Sequence, residues 1–185
     1  MTEPLDGPPL DLRRVLDVLA RHGVDYILVG GVAANAYGAT RPTLDFDCVP
    51  RRDATNLSNV AAALRELNAR LRVGGLSDAE SSALPIVIDA KTIEAMEIST
   101  WMTDAGGVDV LRDIPRSDGT HQTYMDLLDE SVTQTFEHVR VRLVGLDHLI
   151  GSKEWADRPK DHDALPEIRR LRDRHLERGP DIDLP

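Results

Sequence analysis

The sequence predicts an α+β fold in which a mixed β-sheet is flanked by helices, with a helical C-terminal portion. Two observations carry this prediction. The strongest turn signal, "DAGG", lies between two adjacent β-prone runs, which predicts an antiparallel hairpin. Amphipathic helical runs occur both between the early strands and at the end of the chain. This order favours a mixed sheet over a doubly wound parallel one, and 185 residues are enough for one domain with a real core.

The elements of the first half follow from periodicity and turn residues. Apolar residues at helical spacing predict a helix in "LDLRRVLDVLARHG", ended by Gly23. A short apolar strand, "VDYILVGG", precedes an Ala-rich short helix, "VAANAYG", closed by Gly38. Prolines bound a strand in "PTLDFDCVP", and "RDATNLSNVAAALRELNARLR" is typical of an amphipathic helix capped by Asp53 or Thr55. Residues 73–95 are interpreted as loop with a short helix.

The second half begins with the hairpin signal in "MEISTWMTDAGGVDVLRDI". A helix is predicted in "HQTYMDLLDES", and two more strands in "VTQTFEHVRVRLVG". Two C-terminal helices are predicted in "LDHLIGSKEWADR" and "KDHDALPEIRRLRDRHLERG", broken at Pro159. No repeat or low-complexity segment interrupts this order, so a single domain is expected.

Composition narrows the class of protein. Lys and Arg number 22 against 32 Asp and Glu, a formal net charge of −10. A chain this acidic repels polyanions on average, which argues against nucleic-acid binding over its whole surface but leaves room for a local basic groove. The single cysteine, Cys48, excludes an internal disulfide. With no apolar run long enough for a membrane span and no secretory signal pattern, a cytoplasmic protein without a membrane partner is expected.

Two aspartates in "PTLDFDCVP" are the first candidate site residues. Residues two apart on a strand share a face, so Asp45 and Asp47 point one way, while Leu44, Phe46 and Cys48 point into a core. Neighbouring carboxylates repel each other unless a cation lies between them, and Mg²⁺ prefers such ligands. The alternative is an ordinary edge strand with two solvated carboxylates.

A third carboxylate and a glycine pair strengthen the metal interpretation. Asp109 in "GGVDVL" would join Asp45 and Asp47 if the two strands are neighbours, giving the arrangement that two-metal phosphoryl chemistry needs. Gly30 and Gly31 close a strand and open a helix, where backbone N–H groups can approach phosphates. The simpler interpretation of the glycine pair is a tight turn.

Four stretches together resemble a known family: "VGGVAANAYG", "TRPTLDFD", "TDAGGVDVL" and "LIGSKEWADRPKDHDAL". Their order resembles the polymerase-β-type nucleotidyltransferase superfamily, and in detail the bacterial nucleotidyltransferase toxins of the AbiEii and MenT kind. The resemblance covers Asp11 to Arg174. It implies a nucleotidyltransferase core at 11–145 and C-terminal helices at 146–178 that complete the active site. A flexible N-terminal arm at 1–10 and a tail at 179–185 remain outside it.

The resemblance also implies roles for single residues around the metal. Asp45 and Asp47 would be catalytic metal ligands, and Asp109 would occupy the third acidic metal position. Gly30 and Gly31 would cradle the nucleoside triphosphate.

Four further residues receive roles on the same basis. Thr43 would join the phosphate cradle, and Lys153 would bind the triphosphate and offset its charge. Asp161 would act on the acceptor hydroxyl or orient Lys153. Arg41 is a candidate for contacting phosphates or base, with a surface arginine at a turn as the equal alternative.

The function implied by the resemblance is an enzyme that uses Mg²⁺ or Mn²⁺ to transfer a nucleoside monophosphate from an NTP to a hydroxyl. The implied acceptor is the 3′ end of tRNA, and the chain would be a toxin that blocks translation and is silenced by a cognate antitoxin protein. The alternatives are a small-molecule acceptor such as an aminoglycoside, a protein acceptor, or a non-catalytic, antitoxin-like module. The arginines of "EIRRLRDRHLERG" suit either an RNA backbone or a solvated helix face.

Overall fold

The computed structural model describes residues 7–178, apart from the side chains of Asp78 and Arg178, and confirms the α+β class with a mixed sheet. A seven-stranded sheet runs in the order β3-β4-β5-β2-β1-β9-β8, and a separate hairpin contains β6 and β7. The strands are β1 Tyr26–Val29, β2 Asp45–Pro50, β3 Arg70–Leu71, β4 Ile98–Thr103, β5 Gly106–Leu111, β6 Asp113–Pro115, β7 His121–Thr123, β8 Val132–Phe136 and β9 Val139–Leu143. The helices are α1 Leu12–Arg21, α2 Gly30–Ala36, α3 Ala54–Glu66, α4 Asp78–Ser82, α5 Ala90–Ala95, α6 Tyr124–Leu128, α7 Leu146–Ala156 and α8 Pro159–Arg178.

The sheet is mixed because its central strands form both parallel and antiparallel pairs. Strand β2 pairs antiparallel with β1 and parallel with β5, while β1 pairs parallel with β9. The predicted "DAGG" hairpin is β4–β5, and the second predicted pair of strands is β8–β9. Short turns close the hairpins β4–β5 and β8–β9, whereas the antiparallel pairs β1–β2 and β3–β4 are joined through helices. The parallel strands β2 and β5 are separated by a long segment that carries α3, α4 and α5.

The core packs against both faces of the central strand β1, whose four residues are all buried. Phe46 and Trp101 are fully buried, and Phe46 meets Tyr26 edge-to-face with ring centroids 5.8 Å apart. Helix α3 buries an apolar stripe. Its N-cap is Asp53, whose side chain accepts a hydrogen bond from the Asn56 N–H at 2.9 Å. Of the two caps predicted for α3, Asp53 is therefore the one used.

Five features of the chain differ from the predicted elements. Strand β6 was not predicted. The helix predicted over residues 52–72 ends at Glu66, and Arg70–Leu71 forms β3 instead; His121–Thr123, also assigned to a helix, forms β7 before α6 begins. Helix α2 begins at Gly30, two residues before the predicted start. Leu44 is 59% exposed, so the prediction that it points into the core is wrong. It precedes the first residue of β2, where strand alternation does not yet apply.

The C-terminal helices meet at a sharp turn. Asp157 takes a left-handed conformation at the end of α7, and Pro159 is the first residue of α8, where a proline loses no intrahelical hydrogen bond. The predicted break is therefore placed just before Pro159. The turn brings the end of α7, with Lys153, against the start of α8, with Asp161.

Part of the predicted N-terminal arm contacts the β4–β5 hairpin. The Asp11 N–H donates to the Ala105 carbonyl at 2.9 Å, and Gly7 and Leu10 lie against Met102 and Gly106. Residues 1–6 and the predicted tail at 179–185 lie outside the described residues. No helix within residues 7–178 is long and apolar enough to cross a membrane.

Candidate active site

The three predicted aspartates converge on one face of the sheet. Strands β2 and β5 are parallel neighbours, and their register places Asp47 opposite Asp109 and Asp45 opposite Gly107. Residues opposite each other in neighbouring strands share a face. Phe46 lies on the other face and is fully buried, as the alternation predicts. The sequence predicted that the three aspartates would converge if the strands carrying them were neighbours. That convergence is confirmed by the pairing of β2 with β5.

Packing around the carboxylates leaves them little room to move apart. A Cβ at Gly107 would come within 2.3 Å of an Asp45 carboxylate oxygen, so only glycine leaves that space open. On β4, Thr100 lies opposite Asp109, and its hydroxyl hydrogen-bonds that carboxylate. The other Asp109 oxygen, Oδ1, is buried without a hydrogen-bond partner.

Burial and mutual repulsion disfavour the state in which Asp45, Asp47 and Asp109 are all ionised. Burial, and then the charges of Asp109 and Asp45, raise the pKa of Asp47 to about 7. Burial raises the pKa of Asp109 as well, and Asp45 adds to that effect, while the Thr100 hydrogen bond opposes it. Carboxyl groups with raised pKa values in contact are a signature of functional sites, because a cation would relieve the repulsion.

The glycine pair accommodates the site's side chains. Gly30 has a positive φ of +67°, and a Cβ there would lie 2.0 Å from an Asp47 carboxylate oxygen. A Cβ at Gly31 would lie 2.5 Å from the Thr43 hydroxyl. The Gly31 backbone N–H hydrogen-bonds Asp47 and lowers the pKa of that carboxyl against its burial. The two glycines thus leave the space that the side chains of Asp47 and Thr43 occupy. Their role as a phosphate cradle stays a prediction.

Gly30→Ala is expected to reduce both stability and activity. A left-handed alanine costs about 1–2 kcal/mol, which lowers Tm by about 2–8 °C in a domain of this size. The added methyl group also displaces Asp47, so any activity of this site should fall by about tenfold or more. Differential scanning fluorimetry and an activity assay measure the two effects. The matched control is Gly23→Ala, at φ +64° with nothing within 4 Å of the added Cβ. Equal activity in both variants would contradict the steric role of Gly30.

Lys153 and Asp161 are brought together as the sequence predicted. The Lys153 ammonium lies 3.2 Å from Asp161 Oδ1, and the Arg158 guanidinium lies 2.6 Å from Oδ2. Burial tends to raise the pKa of Asp161, but the hydrogen bond from Arg158 and the charge of Lys153 hold it below its ordinary value. Its side chain is only 1% exposed. A buried carboxylate with both oxygens occupied suits orienting Lys153 and not acting on an acceptor hydroxyl.

Three residues at this site were missed by the sequence reasoning. Arg158 completes the ion-paired cluster at the α7–α8 turn, and Thr100 hydrogen-bonds Asp109. Lys160 is exposed, and its positive charge acts to lower the pKa of both Asp47 and Asp109 against their burial. The sequence signal for Arg158 and Lys160 is the "RPKD" run, which also contains Asp161.

Arg41 lies near the start of α8. Its guanidinium is 3.6 Å from the Asp163 carboxylate, and both side chains are well exposed. The neighbouring Thr40 hydroxyl donates to Glu167 at 2.9 Å. These contacts join the segment before β2 to α8. A role in contacting phosphates or base stays a prediction.

The aspartate face suits a divalent cation in its chemistry. Within residues 7–178, no three acidic, histidine or cysteine side chains are arranged to hold one ion by themselves. Mg²⁺, however, needs only one or two protein carboxylates and completes its shell with water and substrate phosphates. The raised pKa of Asp47 and the unpartnered Asp109 oxygen fit such an ion. The assignment of Asp45, Asp47 and Asp109 as metal ligands stays a prediction.

Comparison with known proteins agrees with this geometry at the level of the fold. No family model matches the chain, and no curated protein matches its sequence. Among solved structures, the lincosamide antibiotic adenylyltransferase LnuA, bound to lincomycin, matches with a TM-score of 0.58 and 13% identity, over 89% of this chain and 99% of that one. The antibiotic-resistance factor ANT(2'')-Ia matches with a TM-score of 0.52 and 13% identity, over 90% of each. The chain therefore has a nucleotidyltransferase fold.

Proposed function

We propose that this protein is a nucleotidyltransferase that moves a nucleoside monophosphate from an NTP to an acceptor hydroxyl and releases pyrophosphate. The observation that carries the proposal is the register of β2 and β5, which sets Asp47 opposite Asp109 and beside Asp45. The nucleotidyltransferase fold of the chain supports the same reaction class.

The residues divide into two groups with different tasks. Asp45 and Asp47, with Asp109 as the third position, would hold Mg²⁺ or Mn²⁺, which when bound activates the attacking oxygen and neutralises the phosphates. Lys153, oriented by Asp161, binds the triphosphate, and its compact charge offsets the charge of the departing pyrophosphate.

The region around Gly31 and Thr43 would approach the phosphates. The Gly31 N–H holds Asp47 in place, and Thr43 lies against the same glycine. Arg41, beside the start of α8, is the candidate for contacting base or phosphate. The acceptor oxygen attacks the α-phosphorus, and the bond to the pyrophosphate oxygen breaks. The unpartnered oxygen of Asp109 suits either the cation or the proton of the acceptor hydroxyl.

The acceptor that the toxin resemblance implies is the 3′ end of tRNA. In that case the chain is the toxin of a toxin–antitoxin pair, blocks translation, and has a cognate antitoxin as its partner. The arginines of α8 are poor candidates for gripping the RNA backbone. Arg169 pairs with Glu154 at 2.6 Å, and Arg172 pairs with Asp173 at 2.8 Å. These pairs favour the solvated-face interpretation of that stretch.

A small hydroxylated molecule is the second candidate acceptor. The match of the fold to LnuA favours it, because LnuA is a lincosamide antibiotic adenylyltransferase and is covered over 99% of its chain. The net charge of −10 also suits a cationic acceptor.

A transfer assay tests the reaction and the acceptor together. The purified protein is incubated with Mg²⁺ and each of the four NTPs, labelled on the α-phosphate, with total tRNA, lincomycin or tobramycin as acceptor. Label on tRNA supports the toxin proposal, and label on an antibiotic supports the second candidate. Asp45→Ala should abolish transfer while leaving the thermal transition within about 2 °C of the wild type.

Calorimetry with each NTP and Mg²⁺ separates loss of the acceptor from loss of the reaction. Nucleotide binding without any labelled acceptor would keep the reaction and reject these acceptors. If no NTP binds in the presence of Mg²⁺, the proposed function is wrong and a non-catalytic module takes its place.

A further inference from the structure

Strand β8 forms a long open edge of the seven-stranded sheet. The opposite edge, β3, has two residues, and α4 lies beside it, where the Val73 N–H donates to the Ser81 hydroxyl at 3.4 Å. Strand β8 has five residues, Val132–Phe136, and among the described residues it pairs only with β9. It contains neither a charge nor a proline, two common devices that keep an edge strand from pairing with another chain.

The pairing of β8 with β9 decides which backbone groups face this edge. A two-residue turn joins the strands, so Phe136 and Val139 exchange hydrogen bonds, and bonded pairs then alternate with unbonded ones. Thr133 and Thr135 fall in the unbonded pairs, so their N–H and C=O groups point away from β9. The other side of β9 agrees, because the even-numbered Val144 donates its N–H to a carbonyl of β1 at 2.9 Å. Both threonines are exposed, and within residues 7–178 no hydrogen bond from outside β9 reaches their backbones.

The sequence of β8, "VTQTF", is complementary to its own reverse. When a second copy is aligned antiparallel with Gln134 opposite Gln134, each Thr133 lies opposite a Thr135, and each Val132 lies opposite a Phe136. In this register all five residues of the strand overlap. Both threonine pairs are then hydrogen-bonded pairs, which gives four backbone hydrogen bonds between the copies. Threonine pairs, and a β-branched residue opposite an aromatic one, are favourable cross-strand pairs.

Gln134 supplies an independent observation. Its side-chain oxygen Oε1 is buried without a hydrogen-bond partner among the described residues, and buried polar atoms are nearly always paired. On the two-fold axis Gln134 stands in a non-hydrogen-bonded pair, where side chains approach most closely, so the amide of one copy can donate to the oxygen of the other. Because the strand is uncharged, this pairing does not set like charges opposite each other, although each chain carries a net charge of −10.

We propose that β8 pairs antiparallel with β8 of a second copy of this chain, with Gln134 opposite itself, so that two seven-stranded sheets form one sheet of fourteen strands. This interface does not depend on the proposed function. Because opposite residues in paired strands share a face, both aspartate faces lie on the same side of the joined sheet. Seven strand spacings separate the two β2 strands, which places the two candidate sites about 34 Å apart along the sheet.

The mass of the full-length protein in solution tests the pairing. Analytical ultracentrifugation over about 5–200 µM should show a mass that rises with concentration to twice the 20.4 kDa of one chain. Thr133→Pro removes an outward N–H and leaves the β8–β9 hydrogen bonds intact, so the variant should fold. It removes two hydrogen bonds from each dimer and should weaken dimerisation by about 30-fold or more. Thr133→Val, which keeps the backbone N–H, is the matched control and should dimerise as the wild type does.

A cysteine cross-link tests the register. Gln134→Cys sets the two thiols in a non-hydrogen-bonded pair with Cα atoms about 4.5 Å apart, within the range of a disulfide, and should give a covalent dimer on a non-reducing gel. Thr133→Cys lies as close to the edge, but its Cα atoms are about 9 Å apart in this register, so it should stay uncross-linked. The native Cys48 is buried and should leave the wild type uncross-linked.

Three outcomes would overturn the proposal. A wild type that stays monomeric throughout this concentration range would leave the edge to a partner other than a second copy. A dimer of unchanged strength in Thr133→Pro would place the interface elsewhere on the chain. Cross-linking of Thr133→Cys in place of Gln134→Cys would require a different register. Thermal melting of every variant excludes loss of folding as the cause of a lost dimer.

Discussion

Asp47→Asn is expected to reduce nucleotidyl transfer by about three orders of magnitude. The substitution keeps the shape of the side chain and removes a carboxylate from the centre of the three-aspartate face, where it lies opposite Asp109. Loss of a metal ligand forfeits several kcal/mol of transition-state stabilisation, and each 1.4 kcal/mol corresponds to about tenfold in rate. The measurement is the single-turnover transfer rate with saturating NTP and Mg²⁺.

The same substitution should stabilise the fold as the pH rises. Burial and the neighbouring carboxylates raise the pKa of Asp47 from 3.8 to about 7, so the folded state favours the protonated form. The resulting contribution to the free energy of unfolding is fully present below about pH 4 and is lost as the pH rises through 7. Asparagine is neutral throughout. Without divalent cations, the variant should therefore gain stability over the wild type between pH 4 and 8, on the order of 2 kcal/mol.

Urea unfolding in EDTA at several pH values measures this difference. Asp129→Asn, an exposed aspartate after α6, is the matched control, and its difference from the wild type should stay flat. Adding Mg²⁺ should stabilise the wild type more than Asp47→Asn, because only the wild type keeps all three carboxylates. A variant that transfers within tenfold of the wild type, or whose stability difference does not depend on pH, would contradict the role assigned to Asp47.

Local patterns predicted the parts of the site that lie within one element. A strand alternates sides every residue, so the separation of Asp45 and Asp47 from Phe46 followed from spacing alone. The β4–β5 hairpin followed from its turn residues. The meeting of Asp47 with Asp109 could only be stated conditionally, because β2 and β5 are distant in sequence and their pairing is a property of the whole sheet.

The other differences between the predicted and the observed structure also arise from pairing and packing between distant parts of the chain. Leu44 was assigned to the core by extending strand alternation one residue too far, past the point where pairing begins. Strand β3, Arg70–Leu71, lies within the run that helical periodicity assigned to the preceding helix, and its conformation comes from pairing with β4, which that periodicity does not reveal. The burial of Asp161 depends on how α7 and α8 pack, which the composition of a charged helix does not reveal.

Asp161→Ala is expected to unfold the α7–α8 turn and to weaken NTP binding. The substitution leaves Lys153, only 16% exposed, without the carboxylate that neutralises it. Removing one partner of a buried ion pair costs about 3 kcal/mol, or about 6–12 °C in Tm. Because the pKa of Asp161 is lowered by Arg158 and Lys153 despite its burial, its stabilising effect is present above about pH 4 and is lost on further acidification.

Asp161→Asn separates a positioning role from a role on the acceptor hydroxyl. Asparagine keeps the shape and one acceptor oxygen, so the variant should fold but hold Lys153 less firmly. If Asp161 orients Lys153, the Kd for NTP should rise by about tenfold with a smaller change in the rate of the bound complex. If Asp161 took the proton of the acceptor, the rate would fall by about 10²-fold or more with NTP affinity unchanged. Glu177→Ala, which removes an exposed carboxylate further along α8, is the control for general effects of charge on that helix. The occupation of both Asp161 oxygens by Arg158 and Lys153 leads us to expect the first result.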